Sequence, residues 1–184
     1  MKSDFYKSYL ETIRPKLMKD LKKKNLFDIP RLSKISVNVG IGTYLSGGKD
    51  YAPVVDNITR ITGQKAVVTK ARISVSNFKI REGNPVGIRV TLRRDLMYDF
   101  FCKLVRIVLP RVRDFRGLSP KSFDGHGNYT VGIREFTVFP EIKLEDVAKN
   151  HGLQVTIHTS AENDEEGFAL LKEFGFPFKK LKKE

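Results

Sequence analysis

Apolar and polar positions alternate strictly over residues 34–40. Ile35, Val37 and Val39 fall on one side, Ser36 and Asn38 on the other. A period of two marks a half-buried strand. The alternation returns over residues 86–93, where Val86, Ile88, Val90 and Leu92 oppose Gly87, Arg89, Thr91 and Arg93. It returns again over residues 153–159, with Leu153, Val155 and Ile157 inward, and shorter strands are expected near residues 65–69, 129–135 and 136–139.

Between these runs the period lengthens. Phe5, Tyr9, Ile13, Leu17 and Leu21 recur every four residues, which predicts an amphipathic helix over residues 4–24 capped by Ser3 or Asp4. Pro15 lies inside that run, where it would kink the helix or move its start. Val54, Val55, Ile58 and Ile61 form the stripe of a short helix over residues 53–62, closed by Gly63. Residues 96–109 are the most apolar helix, with paired ridges and an expected stop at Pro110. Two more helices are expected at residues 144–150 and 164–174.

Strands interleaved with helices could form a parallel sheet, but strands covered on both faces would read as continuous apolar runs. Clean alternation instead predicts an α+β fold. It has a largely antiparallel sheet, helices packed on one face, and an open polar face carrying Ser36, Asn38, Arg89, Thr91 and Arg93. Such a face is either an ordinary solvated surface or a platform on which arginines and short polar side chains meet phosphates, ribose hydroxyls and base edges.

Charge favours the platform. The 184 residues carry a formal net charge of +13, unevenly spread. Residues 65–116 hold 13 Lys and Arg against 4 Asp and Glu, while residues 135–175 hold 3 against 9. Segregation on that scale points to a polyanionic partner. A length of 184 residues fits one domain over residues 1–184, with residues 179–184 (Lys179, Lys180, Lys182, Lys183) as a flexible basic tail.

Two segments lack periodicity. Residues 70–85 mix Lys70, Arg72, Lys79 and Arg81 with Ser74, Ser76 and Phe78, a composition suited to backbone contacts plus stacking. The alternative is a hairpin extension whose Phe78 packs back on the core. Residues 111–128 carry Arg111, Arg113, Arg116 and Lys121 among Gly117, Gly125 and Gly127, which favours ordering against a partner.

Catalytic patterns fail. In residues 40–50 a phosphate-binding loop would need glycine at Thr43 and a hydroxyl at Asp50, and the dinucleotide fingerprint would need glycine at Leu45. A flexible strand-exit loop is expected there. Cys102 is the lone cysteine, so no intrachain disulfide is possible and a reducing cytoplasm is expected; mid-helix, it reads as a small core residue. His126, His151 and His158 are scattered, so no metal site or cofactor is expected. The acids Glu162, Asp164, Glu165 and Glu166 read as N-terminal charge on the last helix. The charged N-terminus is no signal peptide, and no apolar run approaches the ~18 residues of a membrane span. No enzyme, no small-molecule substrate and no membrane partner are expected. The rivals are a nucleotide-dependent enzyme and a charge-drawn peripheral membrane protein.

The runs IPRLSKISVNVGIG, ITGQKAVVTKARISVSNFKIREGNPVGIRVTLR, LPRVRDFRGLSPKSFDGHGNYTVGIRE, FPEI and DEEGFALLKEFGFPF, in that order, resemble the bacterial large-subunit ribosomal protein five family from Ile29 to Phe178. The resemblance implies a ribosomal protein that binds 5S rRNA and helps attach it to 23S rRNA in the central protuberance. It also implies contact with P-site tRNA and a bridge to small-subunit ribosomal protein thirteen. The family's 5S-binding positions match Asn38, Gln64 and Thr91, to which Ser36, Arg89 and Arg93 of the open face, and Lys65, are added as candidates. The tRNA-contacting loop matches Arg72 to Arg81 and takes in Lys70, Ser74, Phe78 and Lys79; Arg111, Arg113, Arg116 and Lys121 remain for other RNA or bridge contacts. Asn77 and Arg94 stand where the family commonly has glycine, and His126 where arginine is common.

Overall fold

A computed structural model describes residues 3–42, 50–142 and 151–179. The expected helix over residues 144–150 and all but the ends of the glycine-rich loop lie outside the described residues. So does the basic tail beyond Lys179.

Helix α1 is one continuous run of three segments: Asp4–Ser8, a π turn at Tyr9–Ile13, and Arg14–Asp20. Pro15 neither breaks it nor moves its start. A proline lacks the N–H for the i→i−4 bond and crowds that carbonyl, and the wider π turn immediately before it relieves both problems. The helix ends at Asp20, short of residue 24, because Lys22 turns left-handed at φ 52°.

Strand β1 is Leu32–Gly40, and α2 is Ala52–Thr62. Asp50 Oδ1 accepts the Ala52 N–H at 2.9 Å, and Gly63, at φ 69°, closes α2 as expected. Strands β2 and β3 are Val67–Lys70 and Pro85–Leu92.

Helix α3 repeats the device of α1: Arg94–Lys103, a π turn at Leu104–Val108, then Leu109–Arg111. The expected stop at Pro110 is therefore corrected to Arg111. Strand β4 is Tyr129–Ile133, β5 is Leu153–Thr159 and α4 is Asp164–Glu173. No strand forms over residues 136–139. Phe136–Val138 is a 3₁₀ turn, whose three-residue period buries both Phe136 and Phe139.

The strands form one antiparallel sheet in the order β2-β3-β1-β5-β4. β2 pairs β3 with Thr69 opposite Gly87 and Val67 opposite Arg89. Ile41, just past the end of β1, donates to Val86 near the start of β3 at 3.1 Å. Arg31 and Ser160 join the start of β1 to the end of β5, and Thr159 at the end of β5 donates to Asn128 Oδ1 before β4 at 3.1 Å. With its helices, the sheet makes an α+β fold.

Two compact units are distinguishable. The first comprises Met1–Ile35, Arg93–Val131 and Thr156–Glu184. Its core is aromatic: Phe174 stacks on Phe5 and Tyr9, each at 5.8 Å, and meets Phe101 edge-on at 5.3 Å. Such pairs add about 0.5–1.5 kcal/mol each beyond the area they bury. Tyr9 keeps its hydroxyl satisfied by donating to Pro30 O at 3.0 Å. The second unit comprises Ser36–Leu92 and Gly132–Val155. There α2 contacts β3, with Val54, Ile58, Ile61, Ile88, Val90 and Leu92 all buried.

Candidate nucleic-acid interface

Within the second unit, the residues of β1, β2 and β3 that point away from Val37, Ile88 and Val90 form a polar surface. Asn38 and Arg89 are exposed and Thr91 is half-buried. Gly87 lies among them. A Cβ there would stand 2.9 Å from Thr69 Oγ1, 3.3 Å from Val39 O and 4.0 Å from Asn38 Oδ1. Glycine is thus favoured by the close approach of the Thr69 hydroxyl and the Val39 carbonyl, with Asn38 at ordinary contact distance and Arg89 farther along the same strand. Val67, 64% exposed, is opposite Arg89 in register and adds apolar area.

Gln64 and Lys65 are placed by the turn that follows α2. The single Thr62 hydroxyl proton lies between two carbonyls, Ile58 O at 2.7 Å and Gln64 O at 3.1 Å from Oγ1, and the Ala66 N–H donates to Thr59 Oγ1 at 3.3 Å. The turn is fixed while the Gln64 and Lys65 side chains stay exposed. Thr69, Gly87 and Val67 were not singled out by sequence. The strand register was the missing signal, since it alone places Thr69 opposite Gly87.

Residues 71–84 continue the β2–β3 pairing as an ordered extension. The Ala71 N–H donates to Asn84 O at 2.8 Å, Val75 and Ile80 exchange bonds at 2.9 and 3.1 Å, and the Glu82 N–H donates to Ser74 Oγ at 2.9 Å. Ser76–Phe78 makes a 3₁₀ turn at the tip, followed by Lys79 at φ 54°. Asn77 sits within that turn without positive φ; the left-handed residue is Lys79. Phe78 is 74% exposed and Ile73 75%, so Phe78 does not pack back on the core. Lys70, Arg72, Lys79 and Arg81 are exposed around them.

The remaining expected site residues are either buried or belong to the first unit. Ser36 is buried, with no partner for its Oγ among the described residues, so it is not on the accessible face. Arg93 is exposed but belongs to the first unit, where Arg111, Arg113, Arg116 and Lys121 also lie exposed. The segment carrying those four is ordered by its own chain. Leu118 bridges to Phe178, Ser119 Oγ accepts the Lys121 N–H at 3.3 Å, and Asp124 accepts the His126 N–H at 2.9 Å and the Asn128 N–H at 3.1 Å. Partial burial pushes the Asp124 carboxyl up. The Asn128 amide and the backbone donors together outweigh it, and hold the carboxyl below its ordinary range.

Electrostatics separates the cations into two groups. Ion pairs among the described residues use Lys7, Lys16 and Lys23, with Lys23 Nζ 2.9 Å from Glu166 and 3.1 Å from Asp28. None involves Lys65, Lys70, Arg72, Lys79, Arg81, Arg89, Arg93, Arg111, Arg113, Arg116 or Lys121. The expected interface cations thus have no carboxylate partner among the described residues and are available to phosphate. Cys102 is half-buried, and burial raises its thiol pKa. Among the described residues no cluster of His, Cys, Asp and Glu could hold a metal ion, and no helix is long and apolar enough to cross a membrane.

An antiparallel sheet whose polar surface and hydrogen-bonded extension carry cations without carboxylate partners among the described residues suits a protein that faces a polyanion. Comparison with known proteins names it further. Residues 25–81 match the family model described as ribosomal protein L5, and residues 85–178 match the model for the C-terminus of the same ribosomal family. The chain is 55% identical over 172 residues to the large ribosomal subunit protein uL5 of Desulfatibacillum aliphaticivorans, covering 94% of this chain and 96% of that protein. It is 56% identical over 170 residues to uL5 of Halothermothrix orenii, covering 92% and 95%. It is 51% identical to uL5 of Prochlorococcus marinus over 172 residues, covering 94% and 96%. The chain belongs to the ribosomal protein L5 family. It is a large-subunit ribosomal protein, located in the ribosome, of a structural family and not of a known enzyme class.

Proposed function

We propose that the polar surface of β1, β2 and β3 binds 5S rRNA and helps attach it to 23S rRNA, with Asn38, Gln64 and Thr91 giving direct hydrogen bonds. Lys65, Arg89 and Arg93 supply charge. The extension carrying Lys70, Arg72, Ser74, Phe78, Lys79 and Arg81 contacts P-site tRNA. Arg111, Arg113, Arg116 and Lys121 serve other RNA contacts or the bridge to small-subunit ribosomal protein thirteen. The observation that carries this reading is the gathering of Thr69, packed close on Gly87, with the exposed Asn38 beside an Arg89 that has no carboxylate partner among the described residues. That arrangement offers hydrogen bonding and charge on one rigid surface.

The test is the affinity of the purified protein for 5S rRNA over a salt series. Alanine at Asn38, Gln64 or Thr91 should weaken binding by about 1–3 kcal/mol each, because each leaves a polar RNA group unpaired. Wild-type affinity should fall steeply with salt, with a log-log slope of about −0.7 per phosphate contact for single strands. Unchanged affinity in the triple variant would refute the assignment.

A further inference from the structure

Phe27 is 90% exposed, and its neighbour Leu26 49%. Neither belongs to the polar sheet surface or the extension. An exposed aromatic on a loose turn would carry no argument, but this turn is built. Leu26–Asp28 is a 3₁₀ turn in which Asn25 Oδ1 accepts the Phe27 N–H at 3.0 Å and Asn25 O accepts the Asp28 N–H at 3.2 Å. The Asp28 carboxylate is 3.1 Å from Lys23 Nζ, which also lies 2.9 Å from Glu166. Ile29 and Pro30 are buried immediately after, and Pro30 O accepts the Tyr9 hydroxyl at 3.0 Å. The chain is thus clamped on both sides of a ring left in solvent.

Arg14 completes the arrangement. Its guanidinium donates to Leu26 O at 2.8 Å and stands 5.9 Å from the Phe27 ring centroid. Lys22 and Lys24, also exposed, precede the turn in sequence and make no ion pair among the described residues. We propose that Phe27 and Arg14 form a stacking site for one unpaired base of the large subunit's ribosomal RNA.

An aromatic face meets any base, a guanidinium beside it reaches a phosphate or a base edge, and the preceding lysines neutralise backbone charge. A protein partner fits less well. A stable protein interface needs about 800 Å² per partner, depleted of charge at its centre. Here two apolar side chains project amid cations, which suits a single base. The proposal rests on the chain's membership of the ribosomal family and not on the assignment of the sheet surface.

The test places a photoreactive benzoylphenylalanine at position 27 in assembled large subunits. A cross-link to rRNA is expected. Exclusive cross-linking to a ribosomal protein, or none, would overturn the proposal. In parallel, subunits carrying Phe27→Ala are probed chemically along their RNA. One unpaired nucleotide should gain reactivity, as expected when a stacking contact is weakened about tenfold or more, and Phe27→Trp should restore protection. Identical reactivity in the wild type and Phe27→Ala would also overturn it. The side chain is exposed, so both variants should melt at the wild-type temperature. The 5S affinity of the isolated protein reads the sheet surface separately.

Discussion

Asp164 Oδ1 accepts the backbone N–H of Gly127 at 2.9 Å, across 37 residues of sequence. The same oxygen takes the Gly125 N–H at 3.0 Å. The first turn of α4 thereby pins the aperiodic segment before β4. The packing is tight as well: a Cβ on Gly167 would stand 2.6 Å from Gly127 O. Asp164→Ala leaves the buried Gly127 amide without its acceptor and the exposed Gly125 amide to water, and should destabilise the protein by about 1–3 kcal/mol. Asp164→Asn keeps an accepting oxygen and should cost less. Urea unfolding of the three proteins decides this, and equal midpoints for wild type and Asp164→Ala would show that the contact contributes nothing.

Arg94 opens α3 at φ 54°, a conformation that an L residue bearing a Cβ adopts at a cost of about 1–2 kcal/mol. The resemblance marked this position as commonly glycine, and the backbone supplies the reason. Arg94→Gly relieves the strain, while the greater freedom of glycine in the unfolded chain returns about 0.5–1 kcal/mol of it. The net expectation is a modestly more stable protein with a higher melting temperature. A lower one would mean that the exposed arginine side chain contributes more than its backbone costs.

His151 is buried, 6% exposed, and stacks flat on Phe136 at 4.0 Å between ring centroids. Neither ring nitrogen has a hydrogen-bond partner among the described residues. Burial lowers its pKa below the ordinary 6.5, only partly opposed by the nearby Gly152 backbone. Below pH 6.5 the unfolded chain takes up a proton that the folded ring resists, so stability present above 6.5 falls as pH falls towards the folded pKa. His151→Phe keeps the stacking and removes the titration. Unfolding midpoints at about pH 7.5 and about pH 5.5, either side of the ordinary imidazole range, should therefore diverge less in the variant than in the wild type. Equal divergence would assign the effect to other groups.

Burial on one side imposes a period of two, which is why Ile35, Val37 and Val39, and likewise Leu153, Val155 and Ile157, could be read from the chain. Gly63 could be read because a left-handed helix end favours glycine. Pro110 misled because the π turn that accommodates it has no residue signature. Phe136 and Phe139 misled because F-T-V-F suits a strand as well as a 3₁₀ turn. In the candidate interface, Asn38, Arg89 and Thr91 followed from alternation alone. Ser36 shares their parity yet is buried. The anchoring of Gly125 and Gly127 in the aperiodic segment comes from Asp164, a distant partner that no local pattern reveals.

The extension and the sheet surface should separate in function. Lys70, Arg72, Lys79 and Arg81 lie on or next to residues 71–84, held by backbone bonds between Ala71 and Asn84 and between Val75 and Ile80. The bonds that shape that extension run through its backbone and Ser74, not through the Arg72, Lys79 or Arg81 side chains. Replacing those three by alanine should thus leave the extension folded and the surface around Gly87 undisturbed. The triple variant should bind 5S rRNA and assemble into subunits nearly as the wild type does. If the extension grips P-site tRNA as proposed, the variant should hold it less firmly, since cationic contacts to its backbone would be lost while pairing with the message remains. Two measurements on one variant decide the matter: 5S affinity in isolation and tRNA dissociation from assembled ribosomes. If 5S affinity collapses while tRNA dissociation is unchanged, the extension belongs to the 5S site and the proposed division is wrong.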